Sequence, residues 1–362
     1  MTYTNKSTIG TDYNYKHEVV WRNAIAFLLL HILAACGFFL VFTGKCKFCT
    51  LIWGFSMSLF SSEGITIGAH RYYTHKSFKA KPLLRAIFLL LHTVAGQNSM
   101  FIWCRDHRLH HRYSDTDADP HNAKRGFFFS HIGWLMTRKH PLAIKFGKQI
   151  DLSDLQADWM VMFQKKYYYP LYAIFAVALP IIVPVYCFEE SWTNSIMVCY
   201  FLRYAAQLNG TWLVNSAAHL YGTRPYDGNL QSVECWFVSL ISLGEGWHNY
   251  HHAFPWDYKA AELTMHFNYS ADIIRFLEFI GLAWDLKSAS PEMVEKRIIR
   301  TGDGTHYHFG NEEAKAAVTA IGFLHPLNPS YQTVLKTPEV TLNSEGLPLF
   351  HEKDVLIIDS LK

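Results

Sequence analysis

Charge is scarce in this 362-residue chain: Lys, Arg, Asp and Glu make up 17% of it, and the formal net charge is only +3. With no basic tail, zinc finger or arginine-rich helix, it lacks the electrostatic footprint of a nucleic-acid binder. Cysteine offers no framework either. The seven cysteines, Cys36, Cys46, Cys49, Cys104, Cys187, Cys199 and Cys235, are odd in number and scattered, which argues against a disulfide scaffold. Cys46 and Cys49 form a lone C-x-x-C and read as ordinary thiols of a short loop, because no second pair follows. Flavin and nicotinamide fingerprints and a haem-binding H-P-G-G run are missing too, and there is no internal repeat or low-complexity block.

What is abundant is apolar: half the residues, with aromatics at 16%. The near-zero mean hydropathy conceals long apolar runs set between polar stretches. Ala24 to Phe42 carries no formal charge and is long enough to cross roughly 30 Å of hydrocarbon as a helix. It is too long for a signal-peptide core and reads as retained. Thr50 to Ala69 is a second span, weakened by Ser56, Ser58, Ser61, Ser62 and Glu63. Tyr169 to Phe188 is a third, with Pro180 and Pro184 as kink sites. Thr193 to about Asn215 is a fourth, whose Arg203, Gln207 and Asn209 must face protein. Leu83 to Gly96 is too short to span comfortably and reads as a buried or interfacial helix.

The spans form two hairpins with both termini on one side. Lys and Arg are rich between spans two and three and absent from the turn around Glu189 and Glu190, outnumbering Lys45 and Lys47 of the first turn. The central loop and the termini are therefore expected in the cytosol. The expected architecture is an all-α integral membrane protein, four transmembrane helices in two hairpins under a helical cytosolic cap that holds a two-metal centre. Its parts are a cytosolic segment 1–23, hairpin 24–69, cap 70–168, hairpin 169–215, cap 216–311 and a loosely structured, peripheral tail 312–362.

Nine histidines carry the metal prediction: His70 and His75; His107, His110 and His111; His219; His248, His251 and His252. All fall on the expected cytosolic side. Within each H-x2-H-H triplet the positions i, i+3 and i+4 share a helix face. His70 and His75 differ by about 140° on a regular α-helix, so a break is expected near Tyr72–Thr74. Nine imidazoles are too many for one ion and suggest two. No cysteine joins them in register, which argues against Fe–S and thiolate zinc sites. Imidazole suits zinc, copper, iron and nickel. A dinuclear redox centre favours iron, and an apolar span leading into it suggests a lipid-like substrate. His17, His31, His92, His121, His131, His140, His266, His325 and His351 are isolated and read as structural or solvated, and His306-x-His308 as a solvated loop.

The segments GITIGAHRYYTH (Gly64–His75), DHRLHHRYSDTDADPHNAKRGFFFSHIGWL (Asp106–Leu135), NSAAHLYGTRPYD (Asn215–Asp227), GEGWHNYHHAFPWDY (Gly244–Tyr258) and TGDG (Thr301–Gly304) resemble the membrane acyl-CoA desaturases of the stearoyl-CoA Δ9 type, the insect branch in particular. The resemblance covers roughly residues 17 to 305. It implies two iron ions held by the nine histidines, with Asn215 reaching one through water. It implies a kinked acyl tunnel with Gln97, Trp103, Thr211 and Trp212 at its bend and Ser58 at its far end, where vertebrate relatives have a tyrosine. Asn23, Asn98, Arg105, Asp106, Arg138 and Lys139 match contacts to coenzyme A, and the cations among them suit phosphate.

Implied with these are a fatty acyl-CoA substrate, O2, cytochrome b5 with its NADH-dependent reductase, and residence in the endoplasmic reticulum membrane. The basic residues Lys124, Arg125, Arg138 and Lys139 suit an acidic partner. Glu63 departs from the pattern, which has an apolar residue there; it reads as a hydrogen-bonded acid facing the bundle interior. Two other readings remain open at this point: a two-iron lipid hydroxylase, and a metal-binding membrane transporter.

Overall fold

The computed structural model of the chain describes residues 9–262 and 265–321. Helix dominates. One two-stranded antiparallel ladder, Lys79–Ala80 with Ala283–Trp284, and three isolated bridges are the strand pairing among the described residues. Four helical rods run in sequence. The first is α1 (Trp21–Phe42). The second is α2 (Phe48–Glu63), continued without a gap by a π-helix over Gly64–Thr74. The third, Tyr168–Cys187, includes a π-helical stretch over Ala173–Ala178 just before Pro180. The fourth spans 192–215, π-helical over Ile196–Leu202. Between the second and third rods lie α3 (Pro82–Ala95) and α4 (Met100–Tyr113), bent by 85° at their junction.

Trp21–Phe42 and Tyr168–Cys187 are each long and apolar enough to cross a membrane. The bent pair of α3 and α4 makes a third candidate only if taken as one span. The chain is thus a mostly helical membrane protein. The other two rods are more polar, and several of their polar groups are paired internally, as a low-dielectric setting favours, although Glu63 Oε1 and Gln207 Nε2 are buried without a partner. Arg203 is buried and donates to the carbonyls of Cys199 (2.9 Å) and Ala176 (3.1 Å). Asn209 donates to His31 (3.0 Å) and lies 3.1 Å from the ring of His131. Glu63 accepts from Thr66 and Ser270, both at 2.8 Å, the hydrogen-bonded acid expected of it.

The rods pack closely where glycine removes a side chain. A Cβ on Gly37 would stand 2.4 Å from the carbonyl oxygen of Met197, and one on Gly64 would stand 2.4 Å from the backbone nitrogen of His92. At one end of the bundle Glu190 clasps the two turns, accepting from Lys47 N (2.8 Å), Thr50 Oγ1 (2.9 Å) and Asn194 Nδ2 (3.0 Å). The histidine-bearing segments all leave the opposite ends of the rods.

Two expectations are corrected. The tail expected to be loose from residue 312 begins with a helix, Glu312–Ile321; His325 and His351 lie outside the described residues. His306 is not solvated: it is buried and 3.0 Å from the Glu262 carboxylate, with Gly302 letting the chain ahead of it pack on Pro225 O, where a Cβ would stand 2.2 Å away. His31, His92 and His131 are structural, each hydrogen-bonded or buried among helices.

Replacing Gly64 by Ala forces a methyl against backbone that cannot swing away, an overpacking cost of about 1–3 kcal/mol. Gly64→Ala is expected to lower the detergent-solubilised melting temperature by several degrees. Gly147→Ala, where the nearest atom is a Leu109 methyl at 3.5 Å, is expected to leave it unchanged.

Candidate metal centre

The helix carrying His70 does end near Tyr72–Thr74, as expected, but a wider winding ahead of that end is what aligns the two rings. From Gly64 it winds as a π-helix, closing i to i+5 hydrogen bonds, and it ends at Thr74. His75 N donates to His70 O at 3.1 Å. The five-residue spacing is one hydrogen-bonded step of this wider helix, so both rings lie on the same side, 4.9 Å apart.

The nine rings fall into two groups whose candidate ligand atoms lie within 4.8 Å of one another. His70, His75, His107, His111 and His251 form one; His110, His219, His248 and His252 form the other. Each H-x2-H-H triplet is split between them. Consecutive residues on an α-helix diverge by about 100°, so the neighbours His110 and His111 fall in different groups, as do His251 and His252. A shared helix face alone would have sent each triplet to a single ion.

Neutral rings cannot make this arrangement by hydrogen bonding among themselves. His251 Nε2 stands 2.9 Å from His70 Nε2 and 2.9 Å from His111 Nε2. His252 Nε2 stands 3.1 Å from His248 Nε2 and 3.3 Å from His110 Nε2. One proton on a central nitrogen serves one neighbour and leaves lone pairs opposed at the other. The Nε2 atoms of His75, His107 and His219 are buried with no partner, as are Nδ1 of His248 and His251. A cation held by the Nε2 atoms resolves the crowding and partners the bare Nε2 atoms of His75, His107 and His219, though not the Nδ1 atoms of His248 and His251. Metal–imidazole bonds of about 2.0–2.1 Å put neighbouring ligand atoms about 2.9–3.4 Å apart for right-angled to tetrahedral geometry, which is the spacing seen.

Carboxylates behind the rings fix the tautomers. Asp119 accepts from His110 Nδ1 (2.8 Å), Asp115 from His219 Nδ1 (3.1 Å) and Glu245 from His70 Nδ1 (2.7 Å). Each ring then presents a bare Nε2, the arrangement that orients imidazole ligands and raises their basicity. Arg71, fully buried, pairs with Glu245 at 2.9 Å and donates to Tyr258 O at 2.9 Å. Burial opposes ionisation of Glu245, but the His70 ring and the Arg71 guanidinium outweigh it and hold its pKa at about 2. Asp115 and Asp119 are likewise held below the usual carboxylate range against burial, chiefly by His219 and His110 respectively. Burial, reinforced by neighbouring rings, pushes His75, His107, His111, His248, His251 and His252 well below 6.5.

Sequence reasoning missed Asp115, Asp119, Glu245 and Arg71. Their signal was proximity: DTDAD, GEGWH and HRYYTH place each within a few residues of a histidine cluster. His121, isolated in the sequence, is not isolated in space. It is buried against His110 at 4.4 Å, and with Asp119 it forms a third group of metal-binding type.

Of the other residues singled out, Trp103 stacks on His107 at 4.9 Å, and Gln97 donates to Thr211 at 2.8 Å. Trp212 is buried edge-on to Phe27 at 5.5 Å. Asn215 ends the helix Arg203–Asn215, four residues before His219, and Ser58 is half-buried in α2. Asp106 lies between Arg105 (2.8 Å) and Lys139 (2.6 Å), while Arg138 pairs with Glu18 at 2.8 Å. Asn23 donates to Leu135 O at 2.9 Å, and Asn98 takes a left-handed backbone, φ 70°.

Comparison with known proteins points to one family. The family described as fatty acid desaturase matches residues 47–273. An acyl-CoA Delta-9 desaturase of Acheta domesticus is 50% identical over 297 residues, 82% of each chain. The stearoyl-CoA desaturase of Homo sapiens is 50% identical over 291 residues, 80% of each chain. An acyl-CoA Delta12-desaturase of Acheta domesticus is 48% identical over 297 residues, 82% of this chain and 83% of its own.

Glu245→Gln keeps an acceptor but removes the charge behind His70 and beside Arg71. Metal affinity is expected to fall about 10–100-fold, read as metal retained against a graded chelator. In metal-free protein the six depressed histidines add a pH dependence. Below about pH 6.5 the unfolded chain takes up protons that these buried rings refuse. Stability is therefore expected to fall as pH drops from 7 to 5, and further as the carboxylates protonate in the unfolded state, read as the melting temperature across that series.

Proposed function

The chain belongs to the fatty acid desaturase family as an acyl-CoA desaturase, and from that premise we propose that it introduces a cis double bond into a saturated fatty acyl-CoA at a centre of two iron ions, using O2 and electrons from cytochrome b5. The single observation that carries this reading is the division of nine histidines into a group of five and a group of four. The ligands would be His70, His75, His107, His111 and His251 for one ion. For the other they would be His110, His219, His248 and His252, with Asn215 through water. The donor set is all imidazole nitrogen, which suits iron. Bound there, the pair of ions supplies O2 activation and removal of two hydrogens from adjacent methylenes, chemistry no side chain can perform.

The protein's own contribution is position. Arg105, Arg138 and Lys139, with Asn23, Asn98 and Asp106, would hold coenzyme A at the cytosolic face. Phosphate would compete with Asp106 and Glu18 for these cations, so binding exchanges existing ion pairs for new ones. Trp103 would present an apolar wall beside His107, and the bonded pair Gln97–Thr211 with Trp212 would set the bend of the acyl chain. Ser58 would leave room at the tunnel's far end. The double-bond position then follows from the distance between the coenzyme A anchor and the histidines. Relatives named Delta-9 and Delta12 match at nearly equal identity, so small changes along that path must decide it.

The same reading places four spans in two hairpins, 24–69 and 169–215, beneath a cap formed by 70–168 and 216–311, with segment 1–23 and tail 312–362 also cytosolic. The Glu190 clasp supports it, since both inter-helix turns gather at one end. The membrane is that of the endoplasmic reticulum. Electrons come from cytochrome b5 and its NADH-dependent reductase, drawn by the basic face around Lys124 and Arg125.

Expression in desaturase-deficient yeast fed defined saturated acids tests the activity. Monounsaturated products with one dominant double-bond position are expected. Hydroxy acids would identify a hydroxylase, and an unchanged acyl pool would reject the assignment. Lys139→Glu is expected to raise the KM for acyl-CoA at least several-fold while leaving kcat nearly unaltered, because the Lys139 ammonium would bind ground state and transition state equally.

A further inference from the structure

Trp212 is boxed in by three rings. Phe27 stands edge-on to it at 5.5 Å, His131 edge-on at 5.7 Å, and the His31 ring lies at 6.3 Å. The indole itself is 3% exposed. Both imidazoles belong to a hydrogen-bonded chain that runs from the first rod, through the fourth, to the π-helical turn Phe129–Gly133 of the region between the second and third rods.

The donors and acceptors along this chain follow from its partners. Phe27 O lies 2.7 Å from His31 Nδ1. A carbonyl oxygen only accepts, so Nδ1 carries the proton and Nε2 is bare. Asn209 Nδ2 donates to that bare nitrogen at 3.0 Å and to Ala205 O at 2.7 Å. These two bonds fix the amide and turn its oxygen toward His131 Nε2 at 3.1 Å. His131 therefore carries its proton on Nε2. Burial holds this ring below 6.5 against the pull of Asn209, which keeps it neutral and leaves Nδ1 bare. The buried Ser216 hydroxyl closes the chain, 3.0 Å from His131 Nδ1 and 2.8 Å from Trp212 O.

The chain has one allowed sense. Moving the His131 proton to Nδ1 would oppose the Nε2 lone pair to Asn209 Oδ1, and turning the amide over would oppose its oxygen to Ala205 O. Hydrogen bonds of this kind reinforce one another in a low-dielectric interior. The chain starts at the backbone of Phe27, ends at the backbone of Trp212, and supplies the other two walls of the indole's box. We propose that His131 and Asn209 are specificity-determining positioning residues, which hold Trp212 at the bend of the acyl tunnel and so confine desaturation to one pair of carbons. This rests on the reading of Trp212 as a residue of that bend. The two residues act through the indole, not on the acyl chain. A misplacement of about 1 Å at the reacting atoms can cost on the order of 10²-fold in rate, so an indole free to retreat would let neighbouring methylenes compete.

Desaturase-deficient yeast fed a single saturated acid tests the proposal, with double-bond positions located by mass spectrometry and iron content and the KM for acyl-CoA measured on monodisperse purified protein. One position is expected to dominate for the unsubstituted chain. In His131→Ala the minor positional isomers are expected to rise at least several-fold, while iron content and KM stay close to those of the unsubstituted protein. His131→Gln, whose amide again offers an N–H to Asn209 and an oxygen to Ser216, is expected to restore the original distribution. Asn209→Ser removes less volume and cannot reach both rings; it is expected to broaden the products likewise, so the test stands even where His131→Ala accumulates poorly. An unaltered distribution in either variant, or one as broad in His131→Gln as in His131→Ala, would overturn the positioning role while sparing the desaturase reading. Loss of iron from both variants would assign the chain to the metal centre and overturn it too. An unsubstituted protein that forms no monounsaturated acid would overturn both readings.

Discussion

Opposed imidazole lone pairs are the constraint on which this structure turns. Nine rings are brought so close that the donor atoms of His251 and His252 each face two others. Burial keeps most of them neutral, so protons cannot relieve the crowding. A cation in each group relieves that opposition, and the fold is arranged to deliver the rings with their lone pairs inward. The π-turn at Gly64–Thr74 aligns His70 with His75. The paired histidines of α4 and of the helix His248–Ala253 divide between the two groups. Asp115, Asp119 and Glu245 decide which nitrogen carries the proton.

The buried carboxylates link the centre to the fold. Glu245 accepts from His70 and Arg71, and Arg71 continues to Tyr258 O and, at 3.3 Å, to Asn268. One network thus joins the second rod to the loop before the last histidine cluster and to the segment entering the helix Tyr269–Phe279. Replacing Glu245 or Arg71 would leave a buried charge without its partner, a much larger cost than breaking a surface pair.

Much of this was legible in the sequence, and the reasons for the misses are physical. The apolar rods follow from length and hydropathy, and the nine histidines from their doubling and spacing. A π-helix was not foreseen, because a period of 3.6 is the default and nothing in GITIGAHRYYTH announces a wider turn. The division of the triplets needed the angle between adjacent residues, not just their shared face. His306 reads as solvated because its partner, Glu262, is 44 residues away. The second and fourth rods carry enough polar residues that hydropathy alone undercounts them, and pairings such as Arg203 with backbone carbonyls become visible only in three dimensions.

The most direct test is the metal content of purified protein. Two iron ions per chain are predicted, with iron X-ray absorption showing a nitrogen-rich shell and activity that vanishes on chelation and returns with iron. A monodisperse, fully active preparation containing no iron, or only one ion per chain, would contradict the two-ion centre.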